Sequence, residues 1–302
     1  MLTVALVASL AAGALWQQWR GVEVETAERT RVQSLWVLSG ALDWARLILR
    51  EDARSGGVDH LAEPWAVPLE EARLSTFLAA DKSTTADDTD TLPQAFLSGV
   101  ITDLQARLNV LNLVDGGKVS EPSLRAFSRL FEQLGLPPGE LSALADNLRL
   151  ALDTGAGQGA ARQVSAGAPL MPQRVEQLVW LGLSSRSVAA LSPHITLLPV
   201  RTAVNLNTAS ATVLHACIPQ LDMAQAERMV SARKLSHFRT LADAARFVVD
   251  PAGPLVETEH SVSSRFFEVR GRLRLDQSVV EERSLLQRDG LDVRTLWRDR
   301  GG

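Results

Sequence analysis

The sequence predicts an α+β chain in which a long N-terminal helix packs on an antiparallel sheet, with a large all-helical domain inserted into that frame. Three observations predict it. An uncharged apolar opening, Met1 to Trp16, runs straight into a helical pattern. Two segments, Gly99–Val110 and Phe267–Leu275, alternate at period two, and everything between them has helical period. The 302 residues allow about two domains, and 46% apolar composition is ample for a core. A net charge of −4 lacks the basic footprint of non-specific nucleic-acid binding. The single cysteine, Cys217, leaves no intramolecular disulfide, and a chain of this size needs none.

The opening segment carries no charge, and polar groups begin at Gln17, Gln18 and Arg20, next to the aromatic pair Trp16 and Trp19. A membrane helix needs about 20 apolar residues, and this one offers somewhat fewer. It predicts a short anchor over residues 1–19, with Leu2, Val4, Leu6, Val7, Leu10, Leu15, Trp16 and Trp19 as its packing residues. Two other readings stand beside it. A secretory signal peptide would share the small residues Ala11 to Ala14 but should start with a positive region, which is missing. A core helix should show a polar face, and here only Thr3 and Ser9 are polar. The missing positive start predicts a true N-terminus upstream of Met1.

From Val22 to Arg50 the pattern is helical. Leu35, Leu38, Leu42, Ala45 and Leu49 form one stripe, widened by Trp36, Ala41, Trp44 and Ile48. Leu35, Leu38, Leu42 and Leu49 are the residues it offers to a partner helix. Gly56, Gly57, Pro64 and Pro68 break the helix. The run Asp81–Asp90 lacks the glycine and distal glutamate of a calcium loop and reads as a solvated loop. In the first strand Val100, Thr102, Leu104, Ala106 and Leu108 make the apolar face, opposite Ile101, Asp103, Gln105, Arg107 and Asn109. Leu124, Phe127, Phe131 and Leu134 form a helix opened by Pro122 and closed by Gly135; Leu141, Leu144, Leu148 and Leu152 form the next. Thr154–Ala168 is a glycine-alanine loop, after which Val175, Leu178, Val179 and Leu183 resume helix. Asn207, Asp222 and Thr240 are placed to cap three short helices, Asp222 with Gln225 as a capping box. In the last clear strand Phe267, Val269, Leu273 and Leu275 alternate with Glu268 and an arginine row, which reads as the wet face. The inserted domain spans 111–256, framed by 20–110 and 257–302.

Catalytic patterns are weak. The five histidines show no paired metal-ligand spacing, and His215 and Cys217 point to different sides of a helix. Ser231-Ala-Arg-Lys234 matches the serine acyl-enzyme pattern without its companions, and Gly155-x-Gly157-x-Gly159 follows no strand. No enzyme is predicted; an envelope hydrolase using Ser231 and Lys234 is a minor reading. Residues Val204–Leu214, Ile218–Leu221, Glu227–Val230 and Phe238–Asp243 look like a helix-hairpin-helix unit. Its turn, Pro219-Gln220-Leu221-Asp222, lacks the glycines that let backbone N–H groups reach a phosphate. The hairpin therefore reads as a packing module, with a membrane-tethered DNA-binding or DNA-uptake protein as the alternative.

Several motifs in order carry a resemblance. They are Leu49-Arg-Glu-Asp52, Val58-Asp-His-Leu61 with Trp65, Asp103-Leu-Gln-Ala-Arg-Leu-Asn109 with Asn112-Leu-Val114, Val204-Asn-Leu-Asn-Thr-Ala209, Phe267-Glu-Val-Arg-Gly271 and Arg294-Thr-Leu-Trp-Arg298. Over nearly the whole chain they resemble the minor pseudopilin K family of type II secretion, also called general secretion pathway protein K. The resemblance implies a pilin-like body anchored in the inner membrane as a single pass, with its bulk in the periplasm. It also implies a place at the tip of a pseudopilus, where the subunit helps initiate assembly for export of folded proteins. Minor pseudopilins I and J would be its tip partners, with H and the major pseudopilin G below, and no nucleic acid. Most pilins carry a glutamate near the mature N-terminus that pairs with a neighbour's amine; the family lacks it, and no acid occurs in Met1–Trp19. The basic leader that the prepilin peptidase cleaves is absent. The family's calcium site is expected to be lost: Asp146 remains, Arg149 replaces a second acid, and Gly155–Ala168 offers no carboxylate. No cofactor is expected.

Overall fold

A computed structural model describes residues 2–74, 95–155, 169–248, 255–275 and 278–301. The run Asp81–Asp90 and residues 156–168 of the glycine-alanine stretch lie outside the described residues. The apolar opening and the amphipathic segment form one helix, α1 (Leu2–Ser55), 54 residues long and roughly 80 Å from end to end. It contains no proline and is rich in alanine, leucine, arginine and glutamate, which lose little freedom in a helix. Gly56, at φ 63, ends it in the left-handed conformation that side chains resist.

Five antiparallel strands make the sheet, in the order β1 (Leu69–Arg73), β2 (Ala95–Asp103), β9 (Phe266–Leu275), β10 (Ser278–Asp289) and β11 (Asp292–Gly301). The strands between are two-residue ladders: β3 (Leu108–Asn109) with β6 (Ile195–Thr196), β4 (Val114–Asp115) with β5 (Lys118–Val119), and β7 (Val204–Asn205) with β8 (His260–Ser261). One face of the sheet receives α1. Leu42, Ala45 and Leu49 pack with Trp65, Phe267, Val269, Leu286 and Val293, and Leu38 packs with Leu97 and Leu273. Gly271 marks the closest approach, since a Cβ there would lie 3.1 Å from Leu38 Cδ2; its cross-strand partner is Gly99. The other face meets the helical block through Leu104, Leu198, Phe266 and Leu285, with Trp297 beside them.

That block contains α2 (Glu121–Gln133), α3 (Pro138–Gly155), α4 (Ser185–Leu191), α5 (Ala211–Cys217), α6 (Met223–Leu235) and α7 (Leu241–Ala245). Phe127, Leu130, Phe131, Leu144, Leu148, Leu178 and Leu214 share one core. Pro122 opens α2 and Gly135, at φ 64, follows its end, as the sequence predicts.

The differences from the sequence expectations have local causes. The strand expected over Gly99–Val110 stops at Asp103, because the Asp103 carboxylate accepts from Gln105 N (2.7 Å) and turns the chain into a 3-10 helix, Leu104–Ala106. Asn109 repeats the device on Leu111 N (3.1 Å). Residues of the face read as polar are buried as well: Asp103, Gln105 and Asn109 go inside together with Leu104 and Leu108. Along β9 Glu268 is buried too, held by Arg270 (2.5 Å) and Arg283 (2.9 Å), so that face is not simply wet. Val175–Leu181 is 3-10 rather than α-helical. Asn207 caps nothing; it pins the Phe238 backbone with bonds of 2.9 Å in both directions, and Ser210 caps α5 instead. Asp222 and Thr240 do form capping boxes on α6 and α7.

Gly271 yields a graded test. Gly271→Ala needs only a small shift of a flexible leucine tip and is expected to cost about 1 kcal/mol, whereas Gly271→Val is expected to cost about 2 to 3 kcal/mol by prising α1 off the sheet. Urea midpoints of the two variants measure the order; equal costs would mean the contact does not hold the helix.

Candidate functional site

Burying a charge is costly unless it is paired, so a chain that buries many polar groups together constrains itself most where they meet. Here they meet where α1, the sheet and the helical block come together. Arg288 of β10 donates to Asp52, near the end of α1, at 2.7 Å, and to Asp59 of the following loop. Its Nη2 also reaches the Ser264 carbonyl at 2.9 Å. Asp59 in turn accepts from Ser264 N at 2.7 Å. Asp103, at the end of β2, accepts from Thr208 Oγ1 (2.5 Å), Ser264 Oγ (2.6 Å) and Asn205 Nδ2 (3.1 Å). Asn205 also donates to the Asp59 carbonyl at 3.1 Å. Burial pushes the Asp103 carboxyl up to about 6 even against these donors. Burial likewise pushes Glu63 up to about 7, against bonds from His60 N and Trp65 Nε1.

Asp52, Asp59 and Glu63 bring carboxylate oxygens within 4.8 Å of one another, a spacing that could hold a metal ion. The Arg288 guanidinium already supplies the cation there, bonded to two of the three. On α3, Asp146 is exposed and Arg149 is engaged with Asp153 at 3.3 Å.

Helix α1 presents the second feature. Among its described side chains before Ser34 all are exposed except that of Thr30, including Val4, Leu10, Leu15, Trp16 and Trp19. The side chains of Leu2, Leu6 and Val7 lie outside the described set. Among the described residues no helix is long and apolar enough to cross a membrane. The stripe read as open to a partner helix is a different surface: Leu38, Leu42 and Leu49 are sealed against the chain's own sheet, and Leu35 is half-buried. Trp36 does not widen that stripe, because two residues turn a helix by about 200° and place it opposite Leu38. It is 76% exposed, on a face with Val32 and Leu47. The signal was present as a second apolar line at helical spacing, and the stronger leucine line hid it.

The groups considered for chemistry are apart from one another. Ser231 and Lys234 are exposed one turn apart on α6, with no hydrogen bond between them among the described residues. Burial pushes the Cys217 thiol up to about 12. At the hairpin turn Gln220 adopts φ 61, the conformation glycine would favour. The α6 N-terminus is satisfied internally: Gln225 N donates to Asp222 at 2.6 Å and Asp222 N to Gln225 Oε1 at 2.9 Å. With a carboxylate on those donors the turn is unsuited to a phosphate.

Sequence comparison decides the family. The family described as type II secretion system (T2SS), protein K matches residues 106–200 and 204–257. Type II secretion system protein K of Pseudomonas aeruginosa is 30% identical over 321 aligned residues, covering 100% of this chain and 90% of the relative. The chain belongs to the type II secretion minor pseudopilin K family. A solved structure, the GspK-GspI-GspJ complex from enterotoxigenic Escherichia coli, has a chain that superposes with a TM-score of 0.61 at 18% identity. That match covers 91% of this chain and 98% of the other, and shows a common fold. The family is a structural component of a secretion system. In this pseudopilin K the residues of the sequence motifs, Asp52, Asp59, Asp103, Asn205 and Thr208 among them, are the ones that fill the buried polar joint.

Two outcomes follow from that joint. Arg288→Met leaves two buried carboxylates unpaired and is expected to cost about 3 to 5 kcal/mol, read as a lower urea midpoint with an unchanged m value. Asp103 holds its proton to about pH 6 when folded and releases it near 3.8 when unfolded. The folded state therefore binds more protons across that window, and the stability contributed by Asp103 falls as pH rises through it. The cost of Asp103→Asn should accordingly shrink between about pH 4 and pH 6, by up to about 3 kcal/mol. A cost independent of pH would show that the carboxyl is ionised throughout.

Proposed function

We propose that this pseudopilin caps the tip of a type II secretion pseudopilus and helps initiate its assembly. Minor pseudopilins I and J would be its partners, with H and the major pseudopilin G below. The apolar start of α1 would lie in the inner membrane as a single pass, with the rest of the chain in the periplasm. The observation that carries the reading is the uncovered half of α1. Most helical stability in proteins comes from packing an apolar face against other elements, and this half of α1 bears Val22, Val32 and Trp36 on a face that the chain itself does not cover. Other helices in lipid and in a filament would cover it. The helical block supports the place at the tip. It joins the body beyond the Ser55 end of α1, where Asn205 donates to the Asp59 carbonyl, and so lies at the end away from the projecting turns. The lack of an acid in Met1–Trp19 agrees, since a tip subunit recruits no neighbour above it.

The test is co-expression of the full chain in detergent with I and J from the same genome, followed by size-exclusion chromatography with light scattering. A 1:1:1 species is expected, and Trp36→Glu should dissociate it without changing the melting temperature of the isolated chain, because Trp36 is 76% exposed. A lone monomer beside two folded partners would sink the proposal.

A further inference from the structure

The loop after α1 and the end of α6 face each other across a cleft of about 340 Å³, between the sheet frame and the helical block. His60 of the loop stacks on His237 of the turn after α6, with ring centroids 3.9 Å apart and planes 13° from parallel. Beside them Arg233 lines the cleft, 9% exposed. Its Nη1 donates to the Leu206 carbonyl at 2.6 Å. Its Nε and Nη2 have no partner among the described residues, and no carboxylate there pairs with it; burial alone pulls its pKa down to about 10. The contrast with Arg288, equally buried but bonded to two carboxylates, is direct. Lys234 is exposed at the mouth without an ion pair among the described residues, and no acidic side chain lines the cleft. Its rims are apolar: Leu61 is exposed, and Leu235 is 92% exposed.

A guanidinium nine-tenths buried without a carboxylate beside it keeps an uncompensated charge, and an anion entering the cleft would offset it while replacing the water on its free donors. Two free donors on one planar fork suit a carboxylate, which takes parallel N–H bonds. We propose that this cleft seats the carboxylate of a protein partner, an aspartate or glutamate side chain flanked by apolar residues. Arg233 is the buried anchor and Lys234 the outer charge. One buried positive charge matches one carboxylate, and the leucine rims fit the peptide on either side of it rather than a bare ion. The seat is built by this chain alone and does not depend on the tip assignment.

The test uses the full chain in detergent, with the ring signals of His60 and His237 as reporters in NMR and the peptide acetyl-Leu-Glu-Leu-amide as probe. Both signals should shift saturably. The uncharged twin, acetyl-Leu-Gln-Leu-amide, should bind about tenfold more weakly or worse. Arg233→Met, which keeps the volume, should abolish the shifts; Lys234→Ala, at an exposed site that leaves the fold intact, should weaken binding several-fold. Absence of saturable shifts, equal response to the two peptides, or an undiminished response in both variants would overturn the proposal. Inorganic sulfate acting at the same concentration as the glutamyl peptide would overturn the protein carboxylate as the occupant.

Discussion

The pairing of Asp52 and Asp59 with Arg288, joined through Ser264 to the buried Asp103, is the constraint on which the rest of this structure depends. Each of these groups would be costly alone in the interior. Together they are tolerated because partners come from the end of α1, the loop behind it, the end of β2, the Asn205–Thr208 turn, Ser264 and β10. None of those segments can shift by an ångström without leaving a buried donor or acceptor unmet, so the polar cluster sets one arrangement of frame and block. The apolar contact between sheet and block, centred on Leu104, Leu198, Phe266 and Leu285, adds burial but little direction. Hydrogen bonds supply the direction.

The same helix is buried and bare. Helix propensity does not distinguish residues 9–33 of α1 from residues 34–55; what distinguishes them is whether a sheet lies alongside. In the upper half the leucine line is spent on the chain's own strands, and Gly271 lets the helix sit close. In the lower half the described apolar side chains are exposed. The helix is thus packed at one end and leaves an apolar surface uncovered at the other, which is the arrangement the proposed place in a filament calls for.

Legibility in the sequence followed periodicity. The amphipathic helices α2 and α3 were readable because each buries one face with a clean period and is bounded by proline and glycine, and the strand β9 was readable from the alternation of Phe267, Val269, Leu273 and Leu275 with charged residues. Strand β2 was misread where Asp103 and Asn109 turn the backbone with their own side chains, a short-range hydrogen bond that mimics alternation in the sequence. Strands β10 and β11 went unread; a register shift between Leu285 and Leu286 breaks the period-two pattern there. The Leu38–Leu49 line was read correctly as a face to be buried but given to the wrong partner, since periodicity says that a stripe is covered and not by what. The joint itself was invisible as chemistry, because Arg288 lies more than two hundred positions from Asp52 and Asp59. The resemblance picked out Asp52 and Asp59 but not Arg288, and it could not say what held them together.

The position of the joint explains why an inserted block of this size can be useful rather than a liability. An insertion tethered only by its two chain crossings would swing, and any surface it presented would be averaged over many orientations. Here the crossings occur at β2 and β9, and both are locked: Asp103 closes the first, and Ser264, bonded to Asp59 and Asp103, closes the second. The stacked imidazoles of His60 and His237 add a third contact away from the crossings. The shared lock at Asp103 and Ser264 and the imidazole stack together hold the block against the frame beside the end of α1. A neighbour seated along the exposed face of that helix, as proposed, would therefore meet the block in one orientation, and contacts on helix and block would act in concert without a fresh ordering cost for each.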